Sequence, residues 1–133
     1  MSDVDVLKTI IERVSQMVPD MWVADVLPPA DRLEKELPCV VIDLLPGAEE
    51  ATSWGGQGFP VRLDRVGLDI EVVARSRAAA TPVAAKVRQA LHQLPHLAGT
   101  GVTQVDCPAF TTREDINLHV RVLGVVADVT LHA

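Results

Sequence analysis

The sequence predicts an α+β fold, a mainly antiparallel or mixed β-sheet of about four or five strands with two helices packed on one face. Three observations carry that expectation. Residues 6–18 and 83–94 repeat apolar side chains at the helical period. Residues 61–75 alternate apolar and polar side chains as a half-buried strand does. Strand-like runs outnumber the helices between them, which favours an antiparallel or mixed sheet over a wound parallel one. A chain of 133 residues, 48% of them hydrophobic, is expected to form one domain over residues 1–133 and to bury a core without metal or disulfide staples.

In chain order, the first helix is expected to be capped by Ser2 or Asp3. It presents Val6, Leu7, Ile10, Ile11, Val14, Met17 and Val18 on one face and stops at Pro19. A short strand is expected near residues 22–26, and Pro28 and Pro29 mark a turn. Residues 39–45 read as a strand buried on both faces and ended by Pro46 and Gly47. Residues 48–59 read as a loop with Glu49, Glu50, Trp54, Gln57 and Phe59, and loops of such length are often functional.

The strand over residues 61–75 puts Val66, Leu68, Ile70, Val72 and Ala74 on one face, while Val61 and Leu63 have the opposite parity. A bulge near Asp64 and Arg65 would bring both sets inside. Thr81 is the expected cap of the second helix, with Pro82 in its first turn and Val83, Ala84, Val87, Leu91 and Leu94 facing the core. Pro95 ends that helix. Residues 102–107 form a short strand and residues 118–131 a long one, whose apolar parity changes near Gly124, a natural bulge position.

Composition excludes several classes of function. A net charge of −6 argues against a nucleic-acid reader, whose footprint is basic. No apolar run approaches the roughly 20 residues of a membrane span, so no membrane partner is expected. Asp3 and Asp5 stand where a secretory leader carries base, which points to the cytoplasm or a particle built there. Cys39 and Cys107, each alone in an apolar segment, are expected to be buried free thiols.

Motifs for chemistry are sparse. His92 and His96 have helical zinc spacing but Pro95 lies between them, and His119 and His132 would fall on opposite faces of an unbulged strand; no metal or other cofactor is expected. Gly55-Gly56-Gln57 matches a tripeptide of peptidyl-tRNA hydrolysing release factors, on a chain too acidic to hold RNA, and it lacks the lysine of a phosphate loop. No serine lies in a nucleophile elbow, and Glu49-Glu50 and Glu114-Asp115 are adjacent acids of solvated stretches, so no catalytic residue is assigned and no enzyme is expected. The segment left over is residues 48–59, which holds two of the four aromatics, Trp54 and Phe59 beside Trp22 and Phe110. Aromatics anchor interfaces, and with neighbouring polar residues they give the candidate interface Glu49, Glu50, Trp54, Gln57, Phe59, Arg62 and Arg65.

The N-terminal helix, Pro38-Cys39-Val40-Val41-Ile42, the glycine- and acid-bearing loop, Val66-Gly67-Leu68-Asp69-Ile70-Glu71-Val72-Val73-Ala74, Arg77-Ala78-Ala79-Ala80 and the Ala84-Ala85-Lys86-Val87-Arg88-Gln89-Ala90-Leu91 helix occur in an order that resembles the tail terminator (tail completion) proteins of siphophages. The resemblance is one of pattern and size over most of the chain. It implies a virion structural protein that forms a homohexameric ring at the head-proximal end of the tail tube. There it would end polymerisation of the tube protein and meet the head-completion or connector complex; the net charge of −6 per copy leads to the expectation of an acidic lumen through which genomic DNA passes without specific binding. A neighbouring neck or head-closure protein is the alternative within the same class. A small hydrolase built on Gly55-Gly56-Gln57 and a dimeric module using the terminal strand are the alternatives outside it.

Overall fold

A computed structural model describes the backbone of residues 3–45, 50–54 and 60–132, with side chains placed for residues 6–45 and 65–131. Helix α1 (Asp3–Met17) buries Val6, Leu7, Ile10 and Val14, with Val18 just beyond its end. Pro19 cannot continue the helix, and Asp20 at φ 65° turns the chain into the short strand β1 (Trp22–Ala24). A 3₁₀ turn (Leu33–Glu36) and the cis peptide Leu37–Pro38 lead to β2 (Cys39–Leu44).

The sheet is built around β4 (Pro60–Ala74), which pairs antiparallel with the last strand, β7 (Arg121–His132), from Leu63↔His132 to Ala74↔Arg121. On its other edge β4 holds β3 (Glu50–Trp54) along its first residues and β2 along its last. β1 joins β2 in parallel. The outer edge of β7 carries β5 (Val102–Asp106) and the two-residue β6 (Thr111–Thr112). The result is a mixed, largely antiparallel seven-stranded sheet with the order β1-β2-β4-β7-β5, to which β3 and β6 add.

Both helices pack on one face, as the α+β reading requires. Val66, Leu68, Ile70, Val72 and Ala74 of β4 and Leu123, Val125, Ala127, Val129 and Leu131 of β7 point to that side. They meet Ile10 and Val14 of α1 and Val83, Ala84, Val87 and Leu91 of α2 (Arg77–Gln93). Burying each of the valine, leucine and isoleucine side chains contributes about 1.5–3 kcal/mol, so this face is the main source of stability. Thr100 is the one buried polar side chain among the described residues, and it is satisfied: its hydroxyl donates to the Leu94 carbonyl at 2.9 Å and accepts from the Val102 N–H at 3.2 Å.

Four expectations are corrected. The segment expected to be a loop over residues 48–59 contains β3, which extends the sheet as a hairpin with β4. Neither expected bulge exists, because the β4–β7 register runs unbroken through Asp64, Arg65 and Gly124. At Gly124 the parity puzzle has a different solution: the far face of the sheet is apolar at one end. There Cys39, Val73, Val120 and Val122 form a second cluster roofed by Trp22, Leu33 and Leu37, so both parities of β7 are buried. Helix α2 begins earlier than Thr81, since Ser76 accepts from the Ala79 N–H at 3.1 Å and the alanines that follow favour helix. Pro82 then lies inside the helix, and the Thr81 hydroxyl donates to the Arg77 carbonyl at 2.8 Å. Leu118 and His119 fall in a turn before β7, leaving Leu118 exposed.

Gly124 has a separate role. A Cβ there would collide with the side chain of Arg113, which lies across the strand at that point. Arg113 reaches over β7 to Asp69 at 2.7 Å and Glu71 at 3.4 Å on β4. Gly124→Ala is therefore expected to destabilise the protein by about 1 kcal/mol, the scale of partly buried ion pairs lost when Arg113 is displaced. In an Arg113→Ala background the same change should stabilise by roughly 0.5–1 kcal/mol, because glycine in a strand is unfavourable relative to alanine. Urea titration of the four variants checks the change of sign.

Candidate assembly surfaces

The sequence-derived interface residues do not gather into one site. Glu49, Gln57 and Phe59 lie outside the described residues. The backbone of Glu50 and Trp54 belongs to β3 and that of Arg62 to β4, so these positions sit on the hairpin at the start of the central strand. Arg65 is farther along β4, exposed on the face opposite the helices. It shares a small polar depression with Gln104, Asp106, Asp128 and Thr130. Asp106 and Asp128 stand directly opposite each other on β5 and β7, an unfavourable like-charge pair, and Arg65 is the cation in the same depression.

Residues 113–119 form a turn held by charge. Asp115 accepts from the Val122 N–H at 3.1 Å and pairs with Arg121 at 2.8 Å and Arg77 at 3.2 Å. The Val122 N–H first, then Arg121, with Arg77 adding to them, hold its carboxyl below the usual carboxylate range. Asn117 caps the tip by accepting from the His119 N–H at 2.8 Å. The turn presents two apolar side chains to solvent, Ile116 at 48% and Leu118 at 76% exposure.

Beside this turn lies a groove of about 620 Å³ between α2 and β6. Ala84 and Ala85 of the helix, Phe110 and Leu123 make its apolar surface, and Arg77 and Arg88 are its charged residues. The helical spacing explains the arrangement: residues 77, 81, 84, 85 and 88 fall on one stripe of α2, small in the middle and cationic at both ends. Arg77 shares Asp115 with Arg121, so one carboxylate serves two guanidiniums. The Arg88 Nε–H donates to the Cys107 carbonyl at 2.8 Å, and among the described residues Arg88 has no carboxylate within ion-pair distance. Sequence reasoning missed this groove. The signal was the Arg-x₁₀-Arg spacing across a small-residue helix stripe, which means little until β6 supplies the opposite wall.

The candidate chemistries find no assembled site among the described residues. No group of three or more His, Cys, Asp and Glu side chains there is placed to hold a metal ion. His92 and His96 are exposed near the end of α2, and Ser76 serves as a helix cap. Gly55-Gly56-Gln57 lies outside the described residues. Cys39 and Cys107 are buried free thiols, both pushed up to about 11 chiefly by burial. No helix among the described residues is long and apolar enough to cross a membrane.

No protein-family model and no curated protein matches this chain. Among solved structures, it is similar to a chain from a structure described as "Virion of native gene transfer agent (GTA) particle", with a TM-score of 0.61 and 16% identity. The match covers 93% of this chain and 92% of that one. At that identity the likeness establishes a shared fold over nearly the full length of both chains.

Two outcomes follow from the geometry. Asp115 has a folded-state pKa below its unfolded value, so its stabilisation is present above about pH 4 and is lost as pH falls through the folded value. Stability measured against pH is expected to fall less steeply on the acid side for Asp115→Asn than for the parent chain. At about pH 8, a thiol held near 11 is almost wholly protonated and shielded; maleimide or disulfide reagents should label neither cysteine in the native protein and both after denaturation.

Proposed function

We propose that this chain is a structural subunit of a phage-like virion that works by assembly and carries out no reaction. More narrowly, it closes the head-proximal end of a tail tube as a homohexameric ring, stopping addition of tube protein and offering a surface to the head-completion or connector complex. One observation carries the reading: the likeness to a chain of the gene transfer agent virion spans nearly all of both chains, so the two folds correspond end to end. The sequence resemblance to tail terminators supplies the position in the particle.

The construction suits an assembly part. The sheet is open, with β1 and β3 on one side and β5 and β6 on the other, and ring neighbours can cover such edges. The groove beside α2 is shallow in chemistry: arginines, alanines, threonines, a leucine and one aromatic, with no side-chain base beside the hydroxyls. Under this reading the chain acts as one domain located in the virion, built in the host cytoplasm, with no cofactor. Glu49, Glu50, Trp54, Gln57, Phe59, Arg62 and Arg65 remain the proposed contact residues toward the tube or a neighbour. The net charge of −6 per copy suits a bore through which duplex DNA passes without being held.

Deleting the gene from a producing phage or particle genome tests the role. The expected phenotype is detached heads together with tail tubes of abnormal length, restored by the gene supplied in trans. Normal infectious particles made without the chain would refute the reading.

A further inference from the structure

We infer that the groove between α2 and β6 is a socket for the acidic, aromatic segment 46–59 of a second copy of this chain, so that each copy carries plug and socket of the same contact at opposite ends. The inference rests on the assembly reading and specifies the partner of its surface. Charge is the first argument. In a chain of net charge −6, the groove's charged lining is Arg77 and Arg88, and it holds no carboxylate. Arg77 shares Asp115 with Arg121, and Arg88 has no carboxylate partner among the described residues, so cationic capacity remains at both ends. The segment 46–59 carries Glu49 and Glu50.

Shape is the second. Between the arginines the wall is Ala84 and Ala85, with Leu123 and Phe110 completing an apolar surface of the kind an aromatic ring fills. The segment supplies Trp54 and Phe59, two of the four aromatic residues in the chain. Aromatic anchors seated in a pocket with flanking charge pairs are the usual composition of an interface hot spot.

Position is the third argument, and it decides between a contact within one chain and a contact between two. The groove lies level with Leu123 and Gly124, which pair with Val72 and Glu71 near the end of β4. The described part of the plug, β3, pairs with β4 from Glu50↔Asp64 to Trp54↔Pro60. Seven residues separate Asp64 from Glu71 along that strand and eleven separate Pro60 from it, roughly 23 and 36 Å at the rise of an extended chain. The two also lie on opposite margins of the sheet: β3 flanks β4 on the side away from β7, whereas β6 lies on the outer edge of β7. The described part of the plug therefore stands away from the socket of its own chain. A contact whose halves lie on opposite margins is heterologous, the type that closes into a ring or continues as a filament.

Sedimentation velocity and native mass spectrometry over a concentration series test this. The parent chain is expected to form multimers. Arg88→Glu, Ala85→Trp and the double change E49K/E50K should each lower the association constant at least about tenfold, as loss of a close interfacial charge pair or an obstructed pocket does. Circular dichroism and melting of each variant confirm that the fold persists. Combining R88E with E49K/E50K should recover much of the association. Mixing a socket-blocked copy (A85W) with a plug-reversed copy (E49K/E50K) leaves one good plug and one good socket, so the expected product is a one-to-one dimer that grows no further. Multimers indifferent to these changes would overturn the socket while leaving the virion role intact. A parent chain that stays monomeric at every concentration would also overturn it, whereas the virion role stands or falls separately on the deletion phenotype.

Discussion

The unbroken antiparallel ladder between β4 and β7 is the constraint on which the rest of the molecule depends. From Leu63↔His132 to Ala74↔Arg121 no residue is inserted on either strand, so side-chain direction alternates without a phase change. That regularity delivers ten apolar side chains, five from each strand, to the face on which the helices lie. A slip of one residue would turn the five of one strand away from the face that holds the other five. The same ladder sends the intervening residues to the far face, where Val73 and Val122 are buried at one end while Asp69, Glu71 and Asp128 remain in contact with solvent farther along. One pairing register thus fixes the core, the second apolar cluster and the polar surface together.

The far face is organised by two residues that close the turn before β7. Arg113 spans β7 to reach the carboxylates of Asp69 and Glu71, and Gly124 leaves the space through which it passes. Asp115, two residues on, joins Arg121 at the start of β7 to Arg77 at the start of α2. The turn is thereby tied both to the sheet and to the helix that walls the groove. Isolated exposed pairs contribute little to stability, but several charges sharing partners fix geometry as well as energy. The shape of the groove depends on this small network as much as on hydrophobic packing.

Much of the fold was legible in the sequence. The periods of Val6, Ile10 and Val14 and of Val83, Val87 and Leu91 identify both buried helix faces, and the alternation from Val66 to Ala74 identifies the central strand. What escaped depends on what lies across in space. Bulges were expected because a strand with two apolar parities was assumed to have a single core. The second cluster needs Trp22, Leu33 and Leu37 to come over the sheet, and nothing local to β7 announces them. β3 escaped because Glu50 and Ala51 disfavour strands and no apolar alternation marks the segment, which takes its structure from β4 beside it. The start of α2 was misplaced because Thr81-Pro82 is a stronger written signal than Ser76, although the alanines between them carry the helix further back. The groove was invisible for the same reason as the second cluster: its walls are about twenty-five residues apart in the chain.

The facing aspartates at Asp106 and Asp128 have a consequence for the life of the free polypeptide. A sheet margin as open as that of β5 would ordinarily template stacking of further strands, the first step toward precipitation. Here each strand added alongside would bring its own side chains against an existing concentration of negative charge, relieved by Arg65 alone within that depression. Two copies stacked margin to margin would bring further aspartates against that charge, which disfavours unspecific strand addition at β5.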